Sequence, residues 1–141
     1  MRLMLSLLVL VALAACASNS IRWANNADFN LAIQDNPSQR RFDVVLTSKA
    51  REPLCLSKES WPDVAGLPLG FNGATLTTAS GKKELLPTGS AYCPGGCGEV
   101  RIEPGQQITS AIGYDAFGDA AAIAAESSRS LAFKVYPYLC R

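Results

Sequence analysis

Arg41-Phe42-Asp43-Val44-Val45-Leu46-Thr47 is the stretch on which the fold turns. Phe42, Val44 and Leu46 occupy every second position, with Asp43 and Thr47 on the alternate face. A period of two belongs to a β-strand with one face buried. The same signal recurs on both sides. Upstream, Phe29, Leu31 and Ile33 alternate within a segment rich in Asn, Asp, Ser and Gln, which fits a first strand at a sheet edge. Downstream, Pro53-Leu54-Cys55-Leu56 starts a short strand, and Ser60-Trp61-Pro62-Asp63 opens a Gly/Pro-punctuated loop that runs to Gly73. Residues 74–86 read as a hairpin, with Gly81 supplying the positive φ that tight turns demand. Glu99-Val100-Arg101-Ile102 alternates and stops at Glu103-Pro104-Gly105, where Pro at the first corner and Gly at the second is type II turn chemistry. Gln107–Tyr114 resumes with Ile108 and Ile112 in imperfect phase. Residues 119–128 are alanine-rich and read as a short helix with Asp119 as its N-cap. Leu131, Phe133 and Val135 then alternate, and Tyr136 and Tyr138 continue a long C-terminal strand that Pro137 places at an edge or a bulge.

Seven or eight short strands separated by turn signals, without a sustained helical period or an internal repeat, predict an all-β antiparallel sandwich or small barrel. The succession resembles the immunoglobulin-like sandwiches of bacterial envelope proteins. Phe42-Asp-Val-Val-Leu-Thr47, the hairpin around Gly81 and Ile102-Glu-Pro-Gly-Gln106 carry that resemblance, which covers about residues 41–139. It implies the immunoglobulin-like architecture alone, because the buried Trp and inter-sheet cysteine pair of antibody domains are not present at their spacing.

The N-terminus speaks to location. Leu3 to Ala15 is an apolar run of 13 residues, too short for a bilayer span of about 20 residues. It ends in Leu13-Ala14-Ala15-Cys16, which resembles the lipobox of bacterial lipoproteins. The resemblance implies cleavage before Cys16, a diacylglycerol on its thiol, and further acyl chains such as palmitate. Two or three chains hold a protein on a membrane where one holds it marginally. Ala17 stands where an inner-membrane retention signal would place Asp, so the implied location is the outer membrane, facing the periplasm. Residues 1–15 are then the signal peptide, 16–40 the lipidated tether with the edge strand, and 41–141 the sandwich domain.

Composition narrows the chemistry. Removing Arg2 with the signal leaves twelve basic and twelve acidic side chains, and no basic run exceeds two residues, so nucleic acid is not an expected partner. The chain has no histidine, which removes the commonest general base and metal ligand and with it any Ser-His-Asp or Cys-His arrangement. Nucleophile-elbow, phosphate-loop and zinc-protease motifs do not occur. Ser57-Lys58, and Ser80 with Lys82, are pairs that polar turns produce by chance. Asp115 and Asp119 lack calcium-loop spacing. The expectation is a non-enzyme with no catalytic residues, no metal and no cofactor.

With Cys16 assigned to lipid, Cys55, Cys93, Cys97 and Cys140 remain, an even number that reads as two disulfides in an oxidising compartment. Four cysteines allow three pairings. The favoured one pinches a loop with Cys93–Cys97 around Pro94-Gly95-Gly96 and ties an early strand to the last with Cys55–Cys140. A redox dithiol would have two intervening residues rather than three, and a zinc site would want two close pairs where Cys55 and Cys140 are solitary.

Trp61, Tyr136 and Tyr138 are the candidate partner-binding residues. Each has a plainer role beside it, Trp61 capping the core and the tyrosines packing at an edge, and packing is favoured. The functional expectation is a non-catalytic binding or assembly module. It would contact another envelope protein or a cell-wall component through loops 57–73 and 88–98. The alternative is an inhibitor of a secreted hydrolase such as a lysozyme or protease. Ala79-Ser80-Gly81-Lys82 resembles the Ser-Gly loop of membrane-bound lysozyme inhibitors, without their aromatic and cysteine surroundings.

Overall fold

Strand alternation converts directly into sheets in the computed structural model, which describes residues 20–63, 71, 73–87, 94 and 96–141. The strands are β1 (Phe29–Asn36), β2 (Arg41–Ser48), β3 (Leu54–Ser57), β4 (Ala74–Thr78), β5 (Gly81–Glu84), β6 (Glu99–Ile102), β7 (Gln107–Gly113), β8 (Arg129–Phe133) and β9 (Tyr138–Leu139). One short helix, α1 (Ala120–Ala125), lies between β7 and β8. All pairings are antiparallel, in three three-stranded sheets ordered β1-β2-β7, β6-β3-β9 and β5-β4-β8. The described strands number nine, against the seven or eight expected.

β2 is the centre of the first sheet. Its alternate residues Phe42, Val44 and Leu46 are buried, as their spacing requires. Leu31 and Ile33 of β1 sit opposite Leu46 and Val44, and Ile112 and Ile108 of β7 sit opposite Phe42 and Leu46. The imperfect phase of β7 comes from Ser110, a polar residue between the two isoleucines on the same face. Leu54, Leu56, Leu76, Ile102 and Tyr114 join the β2 residues in one buried cluster drawn from all three sheets. Fully burying each large apolar side chain stabilises the fold by roughly 1.5–3 kcal/mol.

The turn chemistry acts as read. Gly81, at φ 129°, starts the return strand of the β4–β5 hairpin. Gly105, at φ 77°, takes the second corner after Pro104, and the Gln106 N–H donates to the Glu103 carbonyl at 2.9 Å. Asp119 caps α1, its Oδ1 accepting from the N–H groups of Ala121 and Ala122.

Two expectations are corrected. The long C-terminal strand is split: β8 ends at Phe133, and β9 begins at Tyr138 in a different sheet, beside β3. Pro137 has no N–H to give a ladder, so the chain leaves one sheet before it and enters another after it. The folded unit also starts well before residue 41. β1 pairs with β2 along its whole length, and further upstream the Leu139 N–H donates to Arg22 O and the Ala24 N–H to Pro137 O, both at 2.9 Å. Residues 22–24 therefore extend the β6-β3-β9 sheet past β9, and the tether ends before Arg22.

The Cys55–Cys140 disulfide is present and fastens β3 to the chain end across 85 residues. Cys97 is also disulfide-bonded, while its expected partner Cys93, like the lipidation candidate Cys16, lies outside the described residues.

Candidate functional site

An apolar groove opens where the chain enters the fold. β1 and β8 belong to different sheets and approach each other without forming a ladder. They meet at one end through Asp35 and Arg129, whose Oδ2 and Nε are 2.9 Å apart. Towards the other end, Phe29 and Leu31 of β1 and Phe133 of β8 line a cleft of about 360 Å³, with Trp23, Val135 and Tyr136 among its other lining residues. That volume falls in the range of small-ligand clefts. Its rim is unusual for a protein surface. Trp23 is 60% exposed and Tyr136 64%, and the neighbouring Ile21 is 48% exposed. The Trp23 ring stands edge-on to Tyr138, with centroids 6.0 Å apart. The Tyr138 hydroxyl donates to Glu99, and burial together with that carboxylate pushes its pKa up to about 12.

The titratable groups cluster elsewhere. Tyr114 is buried and donates its hydroxyl to Asp35 Oδ1. Burial, then the Asp35 carboxylate, push its pKa up to about 12. Arg129 lies over the Tyr114 ring at 5.6 Å, and its Nη1 donates to the carbonyls of Ile123, Ala124 and Glu126 at the end of α1. Burial works most strongly, against the guanidinium charge, but Asp35 and Tyr114 together outweigh it and the Arg129 pKa is raised. Asp35, Tyr114 and Arg129 thus satisfy one another and tie β1, β8 and α1 together. A phenol held neutral and a guanidinium holding helix carbonyls form a brace.

The sequence-derived candidates separate. Trp61 is not a surface anchor: it is only 7% exposed and packs on Phe133, ring centroids 6.0 Å apart, capping the core. Tyr136 is exposed on the groove rim rather than packed at an edge, and Tyr138 is half-buried. The two candidate contact loops touch where they are described. The Lys58 N–H donates to Gly98 O at 3.1 Å, and Cys97 Sγ lies 2.9 Å from Glu59 Oε1. Residues 64–70, 72, 88–93 and 95 of those loops lie outside the described residues. Ser80 is held within its hairpin, near Thr78 and bonded to Glu126, and that bond holds the Glu126 carboxyl below the usual range. Among the described residues, no group of three His, Cys, Asp or Glu side chains is placed to hold a metal ion.

Sequence reasoning missed Trp23 and the groove. The available signal was Trp23 itself, a large aromatic in a polar segment near the N-terminus. The brace had no such signal, since Asp35 and Arg129 are 94 positions apart.

No family model, curated protein or solved structure matches the chain.

Proposed function

We propose that this chain is a lipid-anchored cell-envelope protein that works as a non-catalytic binding or assembly module. It contacts another envelope protein or a cell-wall component from the periplasmic face of the outer membrane. The observation that carries this reading is the joining of the two candidate loops. The bond from Lys58 N–H to Gly98 O brings residues 57–63 and 96–98 into one surface, on which Lys58, Glu59 and Asp63 are exposed. The Cys97 disulfide stiffens that surface, and a loop held in its bound shape loses less entropy when it binds. The non-catalytic reading is supported by the brace, which engages Asp35, Tyr114 and Arg129 with one another. The anchor reading is supported by the lipobox and by the entry of the chain into the fold at Arg22, six residues after Cys16.

The test is crosslinking in intact envelopes with a C-terminally tagged full chain, followed by affinity purification and mass spectrometry. Acyl mass on Cys16 should vanish in Cys16→Ser. An envelope or cell-wall partner should be recovered with the wild type and lost from Lys58→Glu/Glu59→Lys, a pair of exposed changes that leaves the core intact. Recovery of the same partner with both chains would sink the loop assignment. A stoichiometric secreted hydrolase in its place would make the protein an inhibitor.

A further inference from the structure

We infer that the rim of the aromatic groove, formed by Trp23 and Tyr136 with the exposed Ile21 two positions before Trp23, is a membrane-docking face that inserts into the head-group region of the bilayer carrying the anchor. The inference rests on the anchor reading and assigns that bilayer as the occupant of the rim.

Three observations carry it. The first is reach. Backbone bonds between Arg22 and Leu139 and between Ala24 and Pro137 fix the chain to the domain, so Cys16 is only six residue steps from Arg22. At about 3.3–3.6 Å per residue they span at most roughly 20 Å, and the groove end of the domain cannot stand further than that from the lipid. The second is chemistry. Trp and Tyr have an apolar body and one polar group, which is why they favour the membrane–water boundary. Here they are more than half exposed beside Ile21. Apolar groups left open to water together mark an interaction surface, and the short reach to the lipid makes the bilayer its occupant. The third is rigidity and charge. Trp23 is braced edge-on against Tyr138, so its place on the rim is fixed by the folded domain. Among the described residues, the groove lining carries a single charged side chain, Lys134, whose sign suits anionic head groups.

Docking of this kind would hold the domain in one orientation on the membrane. Apolar insertion rather than charge attraction should dominate, so salt should change it little.

The protein carries its own reporter. Trp23 is exposed, whereas Trp61, the other tryptophan, is packed against Phe133 in the core. The full chain, extracted from host membranes, is reconstituted into phosphatidylcholine–phosphatidylglycerol vesicles with and without bromines on the acyl chains, and tryptophan emission is recorded. Acylation of Cys16 is read from the intact mass of the same sample. The expected result is a blue-shifted emission that brominated lipid quenches at low and high salt, with the quenching lost in Trp23→Phe. An acylated chain whose emission brominated lipid does not quench overturns the docking face and leaves the rim for a protein partner. Quenching that persists in Trp23→Phe overturns it equally. Quenching with no acyl mass on Cys16 supports the docking face and refutes the anchor, so the two failures are separable.

Discussion

Replacing Asp35 with Asn should unlock the corner where β1, β8 and α1 meet. The Asp35 carboxylate accepts from the Tyr114 hydroxyl on one oxygen and from Arg129 Nε at 2.9 Å on the other. An amide of the same shape keeps one acceptor oxygen but loses the charge, and it turns an N–H₂ towards a second donor. The size of the effect follows from burial. Exposed ion pairs contribute about 0–1 kcal/mol, whereas removing one partner of a fully buried pair costs about 3–5 kcal/mol. The Arg129 side chain is only 11% exposed and that of Asp35 28%, so the pair lies nearer the buried limit. The guanidinium keeps its bonds to the α1 carbonyls, which moderates the loss. We expect Asp35→Asn to cost about 2–3 kcal/mol. With a urea m-value of roughly 1–3 kcal/mol/M, the unfolding midpoint should fall by about 0.7–3 M at unchanged m. Circular dichroism during urea unfolding, with disulfides intact, reads this directly. In a cycle with Arg129→Met the double mutant should be less destabilised than the sum of the singles, because neither charge is then left alone. A midpoint that falls by less than the equivalent of about 1 kcal/mol, or strict additivity in the cycle, would refute the reasoning that the pair acts as a buried unit.

Two further outcomes follow from other parts of the fold. Replacing Cys55 and Cys140 together with Ala should lower the unfolding free energy by about 4–5 kcal/mol on the chain-entropy model, since the bridge closes 85 residues; an unchanged urea midpoint would contradict it. Alkaline pH should destabilise the protein. Tyr114 and Tyr138 are both raised from about 10 to about 12, so the native state keeps phenol protons that the unfolded chain gives up. Their stabilising contribution is complete below pH 10 and is lost as pH rises through about 12. Unfolding free energies measured across that window should show a shallower slope in Tyr114→Phe.

The elements were legible wherever a local rule operates. Alternation at Phe42, Val44 and Leu46 placed β2, and the Glu103-Pro104-Gly105 turn and the Asp119 cap each depend on residues within three or four positions. The disulfide between Cys55 and Cys140 came from counting cysteines and asking which pairs could share a loop. The groove was not legible. It needs Trp23 beside Tyr136, two aromatics more than a hundred positions apart, and neither carries a pattern that names the other. Trp61 shows the converse, since Ser60 and Pro62 mark a loop but say nothing of Phe133 waiting beneath it.

The sequence alone therefore determined where most strands and turns fall, though not the break in the C-terminal strand, and that a lipobox-like motif precedes the domain. Side-chain period, proline's missing N–H and glycine's access to positive φ act over a few residues, so the linear order contains them. Tertiary structure decided the grouping into three sheets, the crossing of the C-terminal segment from β4 to β3, and which aromatics face water. Those outcomes depend on packing between distant segments. The same alternation in residues 131–135 is compatible with several neighbours, and burial selects among them only once the whole chain has closed around Phe42, Leu54 and Leu76.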